Sequence, residues 1–195
     1  MPQDAPVLSL FALWLPILLS AVAVFIASSV IHMVLPYHRT DMGKLPTEDA
    51  TLAAIRSGGV APGEYVAPYA TMAEMSSPDF VQKRSAGPIA ILTVMPGGPP
   101  AMGKNLAAWF VYSLVVNITA GYIALRAVGP GPVDYMDVFR FAGATAFAGY
   151  GLGIWQQSIW WGRPWTTSLK STFDGLIYAL LTAGVFGWLW PGGTA

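Results

Sequence analysis

Residues 7–35 read VLSLFALWLPILLSAVAVFIASSVIHMVL, without a single Asp, Glu, Lys or Arg. A helix needs about 20 mostly apolar residues to cross roughly 30 Å of hydrocarbon, and this run exceeds that length. The polar interruptions are Ser9, Pro16, Ser20, Ser28, Ser29 and His32, all tolerable in a spanning helix. A cleaved signal peptide has a basic leader and an apolar core of about 7–15 residues. Here the leader MPQDAPVLS carries Asp4 and no Lys or Arg, so the segment reads as a retained helix.

Three further runs repeat the pattern. Residues 106–125 are uncharged, with Asn117 the strongest polar group; 138–161 carries Arg140 near its start; 173–190 carries Asp174 in its first turn. None alternates polar and apolar residues as a membrane β-strand does. The predicted fold is an all-α integral membrane protein, a four-transmembrane-helix bundle. Its helices span 7–35, 105–126, 136–161 and 172–190, with a small cap over 36–104. Composition agrees. Of the 195 residues 54% are hydrophobic and 10% charged, and ten Lys+Arg balance ten Asp+Glu. Average soluble domains carry roughly 25% charge, so both a water-soluble monomer and a disordered chain are excluded.

Basic residues set the orientation. Arg39, Lys44, Arg56, Lys83, Arg84 and Lys104 lie between the first two runs, and Arg163 and Lys170 between the last two. The opposite side has Arg126 and Arg140 alone. The positive-inside rule then places the cap in the cytoplasm and both termini in the periplasm. Trp160, Trp161 and Trp165 mark the inner interface and Tyr135, Trp188 and Trp190 the outer one, where amphipathic rings settle.

The cap carries element signals. Thr47 precedes Glu48 and Asp49, an acidic first turn that suits a helix start, and Gly58-Gly59 ends that helix. Ser77-Pro78 opens a second helix, and 89–95 reads as a strand or buried extended segment. The cap is too small for a core of its own and is expected to fold onto the membrane face or another protein.

Helices in lipid associate through close approach at small residues and through buried hydrogen bonds. Ala142, Ala146, Gly149 and Gly153 fall on one face of the third helix, and Gly175, Ala179, Ala183 and Gly187 at steps of four on the fourth. Together they predict a close antiparallel hairpin; a permeation groove lined by glycines is the functional alternative. Asn117 at mid-depth needs a partner, either on another helix or in a ligand.

Ionisable groups inside a membrane mark functional sites by default. His32 could ligate a tetrapyrrole or accept a proton, or simply donate to a neighbouring helix. The second imidazole, His38, reads as lying off the face of His32, which argues against bis-histidine haem. His38 and Arg39 suit lipid phosphates at the headgroup level. Asp137 and Arg140, three apart on one helix, can pair locally or help form a gate. Asp134 reads as a helix cap. No Cys is present, which removes disulfides and thiolate metal sites, and two His leave few ways to hold a transition metal, so no metal or cofactor is expected.

Enzyme signatures are absent. There is no HExxH, P-loop, GxSxG or GxGxxG, and no carboxylate pair on a spanning helix. Asp174-Gly175 matches lipid phosphotransferases in that dipeptide alone, without their further carboxylates. Nucleic-acid binding has no basic patch to rest on.

The segments SSVIHMVLPYHRTDMGKLPTEDA (28–50), GPPAMGKNLAAWFVY (98–112) and STFDGLIYALLTAGVFGWLWP (171–191) resemble those of uncharacterised bacterial inner-membrane proteins of similar length. The resemblance implies a bacterial source and a four-helix layout, and carries over no functional residue. The expected function is a non-enzymatic accessory, structural or assembly subunit of a larger membrane complex, with membrane lipids and other subunits or itself as partners. A small oligomeric transporter or channel is the alternative, and a lipid-modifying enzyme the third.

Overall fold

The computed structural model describes residues 8–129 and 132–192. A 3-10 turn at Leu10–Leu13 leads into α1 (Trp14–Met33). Then follow α2 (Glu48–Ser57), β1 (Gly63–Ala67), α3 (Pro78–Ala86), β2 (Ala90–Val94), α4 (Met102–Val128), α5 (Tyr135–Tyr150), α6 (Trp155–Trp161) and α7 (Trp165–Trp188). The chain is mostly helical and divides into two compact units, Met42–Pro100 and the remainder.

In the larger unit α5 packs along α7, α4 against α5, and α1 against both α4 and α7. Two helical stretches are long and apolar enough to cross a membrane, Leu10–Met33 and Met102–Val128. Their most apolar windows are only 33% and 28% buried, whereas the core helix of a soluble protein is mostly buried. The sequence reading predicts four such helices. The third is interrupted, because α5 ends at Tyr150 and a 3-10 turn at Leu152–Ile154 intervenes before α6. Gly151 and Gly153 flank that turn, and glycine gives little support to a helix interior. The fourth starts at Trp165 instead of 172. Its first turns carry Thr, Ser, Lys and Asp, so its apolar part occupies its second half.

The core holds Phe186 and Leu13 together with many small side chains. Large apolar groups such as Phe11, Val111, Phe173 and Trp188 point outward, while Ala21, Ala120, Ala142, Ala146 and Ala183 are completely buried. On α7 the close contact falls at Gly175 and Ala183, two of the predicted small residues; the residues opposite them, Gly151 and Gly143, lie outside the predicted ridge. A Cβ on Gly175 would lie 2.8 Å from Gly151 Cα, and one on Gly143, outside the predicted ridge, 3.0 Å from Ala183 Cβ. Gly149 instead meets Val116 of α4, and a Cβ on Gly153 would meet nothing within 4 Å. The predicted ridge of the third helix therefore does not run on through Gly149 and Gly153. Gly187 lies against the Tyr135 ring.

The smaller unit has no fully buried residue, as its size implies. Ser77 caps α3 by accepting a hydrogen bond from Phe80 N at 3.3 Å, and Lys83 pairs with Asp79 one turn along at 2.8 Å. Thr47 does not cap α2 with its side chain; its carbonyl accepts from the Thr51 backbone and hydroxyl, each at 3.0 Å. β2 occupies the predicted extended segment and pairs antiparallel with β1, Tyr65 opposite Leu92. β1 has no signal in the sequence reading, so the unit holds a β-ribbon that an all-α description omits.

Candidate functional site

The polar residues gather where α1 ends and α7 begins. Pro36 cannot continue a helix, and the chain turns through a 3-10 segment, Pro36–His38. That turn folds His38 back along the helix it left. Its ring sits edge-on to His32, with centroids 4.5 Å apart at 84°, and beside Tyr37 at 4.2 Å. The expectation that the two imidazoles lie apart assumes a continuous helix, and the turn overturns it.

Both nitrogens of His38 face carboxylates: Nδ1 is 2.6 Å from Asp41 Oδ2 and Nε2 is 2.8 Å from Asp174 Oδ2. Tyr37 donates its hydroxyl to Asp174 Oδ1. Because α7 starts early, Lys170 is also helical, one turn before Asp174. Its ammonium donates to the Tyr37 carbonyl at 2.6 Å, to Thr40 Oγ1 at 3.0 Å and to Asp41 Oδ1 at 2.8 Å. Partial burial pushes the Asp41 carboxyl up. The hydrogen bonds from His38 and Lys170, with the charge of each, outweigh it and hold the group below its ordinary value. Asp174 is only 2% exposed, and among the described residues its ion-pair partner is His38 alone. His38 thus bridges two acids. Arg39 is exposed.

A cavity of about 390 Å³ opens beside this cluster. His32, Asp174, Trp109, Tyr112, Tyr150 and Tyr178 line it, among others. Tyr178 is 4% exposed, yet its hydroxyl has no hydrogen-bond partner among the described residues. His32 makes no hydrogen bond there either, so it does not serve as a donor to a neighbouring helix. One ligand atom from each of His32, His38 and Asp174 fits within a 4.8 Å span. Such a set can hold a cation or pass a proton along the Asp41–His38–Asp174 chain.

Asn117 serves packing. Its amide donates to Ser113 O at 2.8 Å and to Tyr150 Oη at 3.2 Å, and its carbonyl accepts from Thr182 Oγ1 at 3.1 Å. Three helices meet there in a fully buried set. Trp109 Nε1 donates to Ser28 Oγ at 2.8 Å and ties α4 to α1. Asp134 caps α5 through Met136 N at 2.7 Å. Arg140 pairs with Asp137 at 3.2 Å on an exposed face, remote in sequence from the cluster. The spacing Lys170–Asp174 is legible as one helical turn, but its meeting with Tyr37, His38 and Asp41 depends on a turn that spacing does not encode. Comparison with protein-family models, curated proteins and solved structures gives no match to this chain.

Proposed function

We propose that the chain is an integral protein of a bacterial inner membrane, crossing it four times as a helical bundle. In this reading it acts as a non-enzymatic subunit of a larger membrane complex and holds a small ligand at the His38 cluster and its cavity. The observation that carries the reading is the sorting of side chains in the larger unit. Many large apolar groups, among them Phe11, Trp14, Ile26, Val111, Phe173 and Trp188, face outward, alanines and polar groups such as Asn117 and Thr182 fill much of the interior beside a few large ones such as Phe186 and Leu13, and the buried carboxylate Asp174 sits at one end beside a cavity. Water does not support such an exterior, and lipid or another apolar subunit does. Two helices suited to crossing support the membrane assignment. The bonds from Lys170 to the segment after α1 support a layout in which the first helix ends on the side where the last begins. That side is cytoplasmic by the distribution of Lys and Arg, and the bacterial source rests on the resemblance of the three segments above.

The lack of Cys makes accessibility mapping direct. Single cysteines at Ser9 and Gly192 should react with an impermeant maleimide in intact cells, and one at Gly43 only after lysis. Labelling of position 43 in intact cells overturns the topology. Purification in a mild detergent should yield the chain with foreign subunits, whereas a stable homo-oligomer without them favours the transporter reading.

A further inference from the structure

We infer that His32, His38 and Asp174 form a binding site for one divalent transition-metal ion of the zinc or ferrous kind, open on its fourth side to the cavity. This deepens the reading of the cluster as a ligand site and rests on it. Two imidazoles and one carboxylate are a donor set suited to such ions, with open positions left for water or a small ligand. The three ligand atoms lie within 4.8 Å of one another.

The surroundings are those of a metal site. A ligating histidine commonly donates its second ring N–H to a carboxylate, which fixes the tautomer and aims the free nitrogen at the metal. His38 Nδ1 lies 2.6 Å from Asp41 Oδ2, which leaves Nε2 turned toward Asp174. Asp41 is itself held by Lys170 at 2.8 Å, and Asp174 by the Tyr37 hydroxyl, so two of the three ligands, His38 and Asp174, are held in place. His38 Nε2 and Asp174 Oδ2 are now 2.8 Å apart. Tetrahedral zinc, with bonds of about 2.0–2.1 Å, sets its ligand atoms about 3.3 Å apart, so entry of the ion widens this pair by roughly half an ångström. His32 is exposed to the cavity and makes no hydrogen bond that the ion would have to break.

Two independent observations point the same way. Asp174 is a buried carboxylate whose ion-pair partner among the described residues is His38 alone, with no Lys or Arg beside it, so a bound cation would add to its stabilisation. Tyr178 lines the same cavity with a buried hydroxyl that finds no protein partner there.

The test uses the full chain, purified in detergent without a polyhistidine tag and stripped with a chelator. Titration with Co²⁺ should give one equivalent per chain with a visible absorption band, and Zn²⁺ should displace it. His32→Ala and Asp174→Asn should each weaken Co²⁺ binding at least about tenfold, and Asp41→Asn, which touches no metal, about 10–100-fold. Because His32 is exposed, His32→Ala is expected to keep the elution volume and helical signal of the parent. Failure of the parent chain to bind one equivalent, or unchanged affinity in His32→Ala, overturns the site. Either result leaves the labelling pattern at positions 9, 43 and 192 intact, so the metal site and the topology fail separately.

Discussion

Replacing Gly175 by alanine tests whether α7 lies as close to α5 as the packing requires. A Cβ there would stand 2.8 Å from Gly151 Cα, 2.9 Å from Gly151 N and 3.0 Å from the Tyr150 carbonyl carbon. All three are backbone atoms, so no side chain can swing aside and the helices must part. Overpacking of this kind costs about 1–3 kcal/mol, and the backbone contact places Gly175→Ala toward the upper end. Against it stands the better helix propensity of alanine, about 1 kcal/mol. Gly184→Ala isolates the two effects. It lies on the same helix and receives the same propensity gain, but its Cβ would meet nothing within 4 Å. The difference between the variants is therefore the contact alone, about 2–3 kcal/mol. At about 2–4 °C per kcal/mol for a chain of this size, Gly175→Ala should melt about 5–10 °C below Gly184→Ala in the same detergent. A Gly175→Ala protein as stable as Gly184→Ala would refute the close packing of α5 on α7.

Asn117→Leu removes the amide that joins α4, α5 and α7 and strands the Thr182 hydroxyl; a loss of about 1–3 kcal/mol is expected, measured by denaturation in mixed micelles. Lys170→Met releases the Tyr37 carbonyl and Asp41. Amide exchange over residues 37–41 should rise by roughly tenfold, equivalent to about 1.4 kcal/mol for partly exposed charge-assisted bonds, while exchange in the middle of α4 stays as it was. Glu74 accepts from the Thr71 backbone and hydroxyl at 3.0 and 2.8 Å, and these bonds hold its carboxyl below the ordinary value of 4.5. Its support of the 71–75 turn is thus present above that value and lost as pH falls through the lower folded one. Carboxyl carbon shifts should titrate below 4.5, and Thr71→Val should move the midpoint up; a midpoint at or above 4.5 in the parent contradicts the geometry.

How much of this was legible in the sequence depends on whether a feature is local. Hydropathy locates α4 within three residues at each end and the end of α1 within two, because a spanning helix is a one-dimensional property: enough apolar residues in a row. Ser77-Pro78 and Asp134 are legible for the same reason, since a cap satisfies amides two or three residues away. The break after Tyr150 is harder, because apolar residues continue straight through it and only Gly151 and Gly153 hint that the helix stops. The early start of α7 is hidden in the opposite way: Thr166, Thr167 and Ser168 read as loop, yet Thr167 and Ser168 are buried. Ser168 accepts a 2.7 Å bond from Ser158, so tertiary contact overrides the weak helix propensity of these residues.

The cluster itself is the least local feature. Lys170 and Asp174 lie well over a hundred positions from their partners, and hydrogen bonds between such distant residues leave no periodicity to read. What the sequence does state is the cost. His32 and Asp174 are ionisable groups at the edge of apolar runs, Pro36 forbids the helix from carrying His38 away, and Tyr37, His38 and Asp41 follow at once. A chain that needed only an anchor at the headgroup level would keep its charged groups in water. Here Asp174 is drawn out of water, Tyr37 and His38 are spent on it, and Lys170 is turned onto the acid that steadies His38. Those hydrogen bonds satisfy the buried carboxylate and orient His38 beside the cavity that His32 and Asp174 line, and a cation is the occupant that the charge and donor atoms of the proposed site fit.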